Sequence, residues 1–331
     1  MATDRSISKT TSQRNIPHGL IDEAHQHVYQ AAIRTPLVRL NYDAPAEIYL
    51  KLECLQPIGS FKIRGAYNAI RKLPDEQRRR GVWTVSAGNA AQGVALAARK
   101  AGVPCQVLVI DAAPAAKLDA IRRLGADFVK ASYDDCWKAL ADRSHPAMSG
   151  VFVHPFEDDN FIAGNASVGV EILEDLPDVD AIVAGFGGGG LSCGIAAAVK
   201  ERGSHAKVFA AEPETAAPLA RSLAMGSAQS FPNWQASWVD GCGGKSVFPR
   251  MWELANHLLA GSIVPTLEET RKAMRMVAMR NHVIAEGAGA CAVAAGLSGK
   301  AGTGKVVCVV SGGNIDLAKF SELVLQPDSQ K

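Results

Sequence analysis

The fold of this chain is indicated most strongly by residues 181–190, AIVAGFGGGG. Residues 181–184 are continuously apolar and predict a buried strand, and residues 191–202 predict an alanine-rich helix. The four consecutive glycines between them exceed what a tight turn needs. Backbone without Cβ atoms lets a ligand approach closely, and free N–H groups at a helix N-terminus favour an anion. We therefore predict a phosphate-binding loop at Gly187, Gly188, Gly189 and Gly190.

The same order of strand, glycine turn and helix recurs on both sides of this stretch. It predicts strands at 82–85, 106–110, 127–130, 207–211 and 306–310, and further helices at 90–100, 113–124 and 315–325. Apolar strands that alternate with helices are typical of an α/β fold whose mostly parallel sheets carry helices on both faces. The predicted elements fall into two blocks, which indicates two α/β domains with a crossover near residues 142–150.

Composition excludes several classes of protein. The 331 residues include 35 Lys and Arg against 33 Asp and Glu, so the formal net charge is +2. That balance argues against nucleic acid as the main partner. With 47% hydrophobic and 21% charged residues, the chain is not a disordered one.

The cysteines and the N-terminal residues indicate the cellular compartment of the protein. The seven cysteines are scattered and contain no Cys-x-x-Cys, which is typical of buried thiols in a reducing compartment. The first fifteen residues, through Asn15, form a polar tail without the apolar region of a signal peptide. No run reaches 18 apolar residues, so a membrane span is not expected. We predict a soluble cytoplasmic protein without a membrane partner.

A lysine lies at a second junction between a strand and a helix. Residues 51–66, KLECLQPIGSFKIRGA, predict a strand, a Pro/Gly turn and the start of a helix, with Lys62 in the first helical turn. The positive end of the helix dipole lowers the pKa of an amine placed there. Lys62 is therefore a candidate nucleophile and base.

A dinucleotide-binding site is an alternative interpretation of residues 185–190. They fit Gly-x-Gly-x-x-Gly, and Glu212 ends the next strand 22 residues past Gly190, where such folds place a ribose-binding acid. An NAD-dependent oxidoreductase therefore stays open at this point, although it leaves the Lys62 segment without a role.

Four motifs together resemble the threonine/serine dehydratase family, which are fold-type II pyridoxal-phosphate (PLP) enzymes close to serine racemase. They are GSFKIRGA at 59–66, SAGNAAQG at 86–93, the four glycines at 187–190 and SGGN at 311–314. Thr35-Pro36-Leu37 and the segment 286–289 also fit, and the resemblance spans roughly residues 16–325. It implies a tryptophan synthase β-like fold of two domains. Residues 1–55 and 150–331 would form a large PLP-binding domain, and residues 56–149 a small domain that closes over substrate.

The resemblance also implies roles for individual residues. Lys62 would bind the cofactor covalently and act as catalytic base, and Phe61 would pack against the pyridine ring. Asn89 would hydrogen-bond the phenolic oxygen, the four glycines would hold the phosphate, and Ser311 would face the pyridine nitrogen. The backbone N–H groups of the segment Ser86, Ala87, Gly88, Asn89 and Ala90 would bind the substrate carboxylate. A hydroxyl at the ring nitrogen makes the ring a weaker electron sink, which favours β-elimination.

Three residues depart from the family pattern near the substrate. Ala87 stands where serine racemase has a proton-donating serine, which disfavours racemisation. Ala90 replaces a histidine and Ile58 replaces a threonine, so the pocket is wider and more apolar. The resemblance implies a PLP-dependent dehydratase that converts a 3-hydroxy L-amino acid to a 2-keto acid and ammonia. These departures add the hypothesis that a β-aryl substrate such as threo-3-phenylserine is preferred over threonine. The alternative, which stays open from the sequence, is that they are neutral variants in an ordinary threonine/serine dehydratase.

The metal site of the family is in doubt in this sequence. Glu212 matches the family's cation-binding glutamate, but Pro218 stands where the nearby aspartate would be. A divalent site is therefore not expected, and a monovalent cation or none is favoured. His25 and His27 lie two residues apart on a predicted helix, on different faces, and do not form a ligand pair.

Several functions stay open from the sequence. A small-molecule amino acid is the expected substrate and a homodimer the expected assembly. β-Replacement and racemisation are alternative chemistries on the same scaffold. Two functions other than PLP-dependent catalysis also stay open: an NAD-dependent oxidoreductase and a non-catalytic relative that binds amino acids.

Overall fold

The computed structural model describes residues 13–327, so most of the polar tail expected over the first fifteen residues lies outside the described residues. The strands are β1 Leu37–Arg39, β2 Glu47–Lys51, β3 Val82–Val85, β4 Cys105–Ile110, β5 Asp127–Ala131, β6 Val151–Phe152, β7 Ala181–Gly185, β8 Lys207–Ala211, β9 Gly261–Ile263 and β10 Lys305–Val309. The α-helices are α1 His18–His27, α2 Lys62–Arg71, α3 Asp75–Arg79, α4 Asn89–Ala101, α5 Ala115–Arg123, α6 Tyr133–Asp142, α7 Asp159–Asp175, α8 Ser192–Glu201, α9 Pro218–Met225, α10 Pro249–Leu258, α11 Leu267–Asn281, α12 Gly287–Leu297 and α13 Leu317–Leu325.

The strands form two separate sheets. A six-stranded sheet has the order β1-β2-β10-β7-β8-β9, and a four-stranded sheet has the order β5-β4-β3-β6. Every pairing is parallel except that of β1 with β2. The predicted α/β class with mostly parallel sheets is confirmed. The presence of two sheets is consistent with the two domains expected from the sequence. The predicted domain boundaries, between residues 55 and 56 and between residues 149 and 150, stay predictions.

Helices cover the six-stranded sheet on both faces. One buried cluster includes residues of α7, α8 and α10, and a second includes residues of α11 and α12. The four-stranded sheet has its own cluster with α2 and α4. These paired layers explain why strands such as β7 are apolar at every position rather than at alternate ones.

Helices α2 and α7 pack at very short range beside the lysine segment. A Cβ atom added at Gly164 would lie 2.5 Å from the carbonyl oxygen of Arg64, and one at Gly65 would lie 2.3 Å from the Phe161 ring. Glycine is required at both positions because any side chain would separate the two helices. This contact fixes the first turn of α2, where Lys62 is located.

The site residues follow the carboxyl ends of parallel strands. Strand β7 leads into the glycines at 187–190, and its neighbour β10 leads into the segment 311–314. Strand β3 of the other sheet leads into the segment 86–90. Because loops at the carboxyl ends of neighbouring parallel strands meet at one edge, the predicted motifs converge.

Candidate active site

A cavity of about 470 Å³ gathers nearly all of the predicted site residues. The predicted residues that line it are Phe61, Lys62, Ser86, Ala87, Gly88, Asn89, Ala90, Gly187, Gly188 and Ser311. Gly189 and Gly190 lie behind the lining, packed against the Phe186 ring and the Phe156 backbone respectively. The volume is in the range of small-molecule and cofactor sites.

Backbone hydrogen bonds between the residues just before Lys62 and the segment 311–314 fix the position of Lys62 in the site. Gly59 has φ +69°, a left-handed conformation that favours glycine, and a Cβ there would lie 2.5 Å from Asn314 Oδ1. Ser60 then forms an antiparallel bridge with Gly312, and Phe61 N–H donates to the Ser311 carbonyl at 3.0 Å. The helix α2 therefore begins beside Ser311.

The amine of Lys62 has no carboxylate partner among the described residues. Its Nζ donates to the Pro155 carbonyl at 2.7 Å and lies 5.2 Å from the Phe61 ring centroid and 5.4 Å from that of Phe161. Desolvation lowers the pKa of this amine to about 8. The sequence predicted the direction of this shift but attributed it to the helix dipole; burial is the cause in the structure.

The glycine loop presents free hydrogen-bond donors to the cavity. Across residues 13–327, none of the four N–H groups at 187–190 donates to a protein acceptor. They directly precede α8, so the helix dipole adds positive potential. A Cβ at Gly188 would lie 2.2 Å from the Phe156 ring, and Gly189 has φ +87°. The loop therefore requires glycine and forms a cradle suited to a phosphate.

A second set of free donors lies at the start of α4. Gly88 N–H donates to Ser86 Oγ at 3.0 Å, whereas the N–H groups of Ala87, Asn89 and Ala90 have no acceptor in the described part of the chain. Helix N-termini leave such groups unpaired unless a cap or a ligand accepts from them. This turn faces the same cavity as Lys62 and suits a substrate carboxylate.

The side chain of Asn89 is held at both ends. Its Nδ2 donates to Glu286 Oε1 at 2.7 Å, and its Oδ1 accepts from Asn314 Nδ2 at 2.7 Å. Glu286 is buried and also lines the cavity. Burial raises the pKa of Glu286 to about 8, and the nearby Asp240 adds to that rise. Sequence reasoning noted the motif at Glu286 but gave the residue no role.

An aromatic wall, formed by Tyr133, Trp137, Phe156 and Phe248, closes one side of the cavity. Tyr133 and Trp137 are stacked with an interplanar angle of 7°, and the Trp137 ring lies 5.5 Å from that of Phe248. Phe156 packs edge-on to Phe248 at 5.3 Å. The sequence gave no indication of this wall because its members come from three distant segments.

The carboxylate of Glu212 caps the N-terminus of α9. Its carboxylate accepts from Leu219 N–H at 2.8 Å, Ala220 N–H at 2.9 Å and Ser262 Oγ at 2.6 Å. It is fully buried, and burial raises its pKa to about 7. Within residues 13–327 no group of three His, Cys, Asp or Glu side chains is arranged to hold a metal ion. A monovalent cation at Glu212 stays a prediction.

A half-buried amine of lowered pKa and a glycine cradle for an anion line one cavity, an arrangement typical of an α/β enzyme that holds a phosphorylated aldehyde cofactor. The chain belongs to the pyridoxal-phosphate-dependent enzyme family, whose model matches residues 28–312. Its cofactor is therefore pyridoxal phosphate, and the residues present fit that group. This membership shows that the NAD-dependent alternative is wrong.

Curated relatives place the chain more narrowly within the family. It is 39% identical over 310 residues to an L-threonine ammonia-lyase of Thermotoga maritima, covering 92% of this chain and 77% of the relative. It is 36% identical over 312 residues to a catabolic L-threonine dehydratase of Escherichia coli, covering 92% and 94%. The predicted threonine/serine dehydratase family is confirmed.

Solved structures show the same fold. Maize serine racemase superposes with a TM-score of 0.85 at 32% identity, covering 94% of this chain and 96% of the other. A serine racemase from Dictyostelium discoideum gives 0.81 at 34% identity, covering 90% and 98%. The fold-type II architecture predicted from the motifs is confirmed.

Proposed function

We propose that this protein is a PLP-dependent dehydratase that converts a 3-hydroxy L-amino acid to a 2-keto acid and ammonia, with threo-3-phenylserine as its preferred substrate. The named activities of the threonine ammonia-lyase and dehydratase relatives support the reaction class. The aromatic wall supports the aryl preference, and it is the observation on which that preference depends.

Lys62 is the proposed base for the α-proton. Bound cofactor supplies an aldehyde that takes the substrate amino group and a ring that withdraws electrons from Cα. With a pKa of about 8, roughly a tenth of this amine is neutral at pH 7, far more than for an ordinary lysine, so Lys62 can accept a proton there. The β-hydroxyl leaves as water by taking up one proton, which balances the α-proton that Lys62 accepts. Hydrolysis of the dehydrated product then yields the keto acid and ammonia.

The remaining site residues are proposed to bind and orient the cofactor and the substrate. We assign the phosphate to the loop at 187–190 and the substrate carboxylate to the segment 86–90, since both offer free N–H donors. Phe61 and Ser311 line the cavity between these two donor sets, where the ring of the cofactor is proposed to lie. Ala87 offers no proton to the opposite face of Cα, which supports elimination over racemisation.

Space beside the segment 86–90 supports an aryl substituent. Ala90 adds little volume where the family carries a histidine, and the aromatic wall forms part of the same cavity lining. Offset and edge-to-face contacts between aromatic rings contribute about 0.5–1.5 kcal/mol beyond the burial of their area. A β-phenyl group would therefore gain contacts that a β-methyl group does not make.

Initial rates of keto-acid release from serine, threonine and threo-3-phenylserine test this proposal. We expect the highest kcat/KM with phenylserine. Trp137→Ala should lower that value about tenfold, since about 1.4 kcal/mol of lost contact corresponds to a factor of ten, and should change the threonine value less than threefold. Tyr42→Ala, an exposed aromatic residue outside the cavity lining, is the control. A clear preference for threonine, or equal losses for both substrates, would contradict the aryl preference.

The expected homodimer and cytoplasmic location extend this proposal. All seven cysteines lie within the described residues and are free thiols, which supports a reducing compartment. Exposed apolar side chains such as Leu317 and Leu325 support a subunit contact. None of the described helices has the length and apolar character needed to cross a membrane.

A further inference from the structure

Glu286 is a buried acid in the cavity wall that the proposed reaction does not use. It is the N-terminal flanking residue of α12, and its own N–H donates to the Gly312 carbonyl at 3.0 Å. A Cβ at Gly312 would lie 2.3 Å from Glu286 Oε1, so only glycine permits the carboxyl group to lie there. Glu286 Oε1 accepts from Asn89 Nδ2 at 2.7 Å.

The surroundings of Glu286 disfavour a negative charge. Across residues 13–327, no Lys, Arg or His nitrogen forms an ion pair with it. Lys117 lowers its pKa, but Lys117 Nζ pairs with Asp240 Oδ2 at 3.0 Å, and Asp240 raises the pKa. Two uncharged thiols, Cys54 and Cys242, also lie within electrostatic range. Burial raises the pKa of Glu286 to about 8 and outweighs the hydrogen bonds from Asn89 and from the Asn314 backbone N–H, which lower it, so the carboxyl group is mostly protonated at pH 7.

The hydrogen bonds fix which way the Asn89 amide points. Asn314 Nδ2 donates both to Asn89 Oδ1 and to the Ile58 carbonyl, each at 2.7 Å, so the Asn89 oxygen must face Asn314. Glu286 accepts one Nδ2 hydrogen from the other end. An amide nitrogen carries two hydrogens, and the second remains available to the cavity.

We propose that Glu286 is a positioning residue, whose hydrogen bond to Nδ2 orients Asn89 so that the second amide N–H points to the phenolic oxygen of pyridoxal phosphate. The inference rests on the proposed cofactor placement between the segment 86–90 and the glycine loop at 187–190. The arrangement also requires an uncharged carboxyl group, because a carboxylate at this position would repel the negative phenolic oxygen in a site of low dielectric.

Three variants of the holoenzyme test the proposal. Glu286→Gln keeps a neutral acceptor oxygen and should change the cofactor dissociation constant less than threefold. Glu286→Ala removes the acceptor and should raise that constant at least tenfold. Glu253→Gln, an exposed glutamate on α10, is the control. A Glu286→Ala protein that binds cofactor as tightly as wild type would overturn the proposal.

Spectra give a readout that is independent of turnover. The infrared difference between wild type and Glu286→Gln should show a protonated carboxyl band at pH 6.5 that disappears between pH 7 and 9. The cofactor absorbance of wild type should change over the same range, and Glu286→Gln should lack that change. Absence of the band at pH 6.5, or an identical pH dependence in Glu286→Gln, would overturn the proposal.

These readouts separate the two proposals. They require cofactor but no substrate, so failure of the phenylserine preference would leave them unchanged. If Glu286 merely supported the fold, Glu286→Gln would lower thermal stability without removing the pH-dependent absorbance change.

Discussion

Lys62 and Arg64 lie two residues apart in the first turn of α2, but their surroundings differ: Arg64 is fully buried among carboxylates, whereas Lys62 is half-buried in the cavity wall. Arg64 bonds to Glu53 at 2.7 Å and to Glu171 at 2.6 Å, and its side chain is fully buried. Lys62 has a single hydrogen bond to a backbone carbonyl and no described carboxylate partner. The first turn of α2 therefore carries one charge that carboxylates neutralise, at Arg64, and one that desolvation destabilises, at Lys62.

The cluster around Arg64 balances its charges. Lys51 Nζ lies 2.7 Å from Glu171 Oε2 and 3.7 Å from Asp175 Oδ2, so two buried cations face two buried carboxylates and the partly exposed Asp175. Burial raises the pKa of Glu171, but Arg64 and Lys51 more than offset this and hold it below its ordinary value. The cluster fixes α2 against α7 and the segment after β2.

Two ionisable groups that line the cavity lack the charge pairing found around Arg64. Lys62 and Glu286 lack a direct partner of opposite charge in the described chain, and burial shifts each pKa to about 8, toward the uncharged form. The lowered pKa of Lys62 allows it to accept a proton near neutral pH, whereas Glu286 is proposed to orient Asn89. The charge-paired residues around Arg64 therefore stabilise the fold, whereas Lys62 and Glu286, which lack such partners, line the cavity.

Breaking the paired cluster should give the largest effect on stability. Arg64→Met leaves Glu53 and Glu171 with one cation, and removing a partner from a buried ion pair costs about 3–5 kcal/mol. The free energy of unfolding in urea measures this loss. Adding Glu53→Gln to Arg64→Met should recover part of it.

An exposed pair supplies the control for that experiment. Arg34 pairs with Glu174 and Asp175 at the surface, so Arg34→Met should cost no more than about 1 kcal/mol. Equal costs for the Arg64 and Arg34 variants would contradict the distinction between the two kinds of charge.

The lowered pKa of the Lys62 amine should be measurable from the pH dependence of its acylation. Because the pKa of Lys62 is lowered, its neutral form appears as pH rises through about 8 rather than about 10.5. After cofactor removal, acylation at Lys62, followed by peptide mass spectrometry, should therefore reach half of its maximal rate near pH 8. Exposed Lys300 in the same digest is the internal reference. A Lys62 midpoint equal to that of Lys300 would show that desolvation does not set its reactivity.

Much of the fold could be predicted because its strands are continuously apolar. Strand β8 was predicted with its observed bounds, and β10 was predicted within one residue. Strands β6 Val151–Phe152 and β9 Gly261–Ile263 were not predicted, since two or three residues carry no period and Gly261 is a poor strand former.

The site was predictable where a motif carries it locally. The segments 59–66, 86–93, 187–190 and 311–314 do converge on one cavity. The aromatic wall and the role of Glu286 depend on side chains brought together from distant segments, which no local pattern encodes. The cause of the Lys62 pKa shift was missed for the same reason, because burial is a property of packing.

Borohydride reduction of the holoenzyme tests the central claim most directly, namely that Lys62 holds the cofactor. Reduction should fix pyridoxal phosphate on the peptide that contains Lys62, and a Lys62→Ala protein should acquire no such label and release no keto acid. A label on another lysine, or keto-acid release by Lys62→Ala at the wild-type rate, would contradict the account.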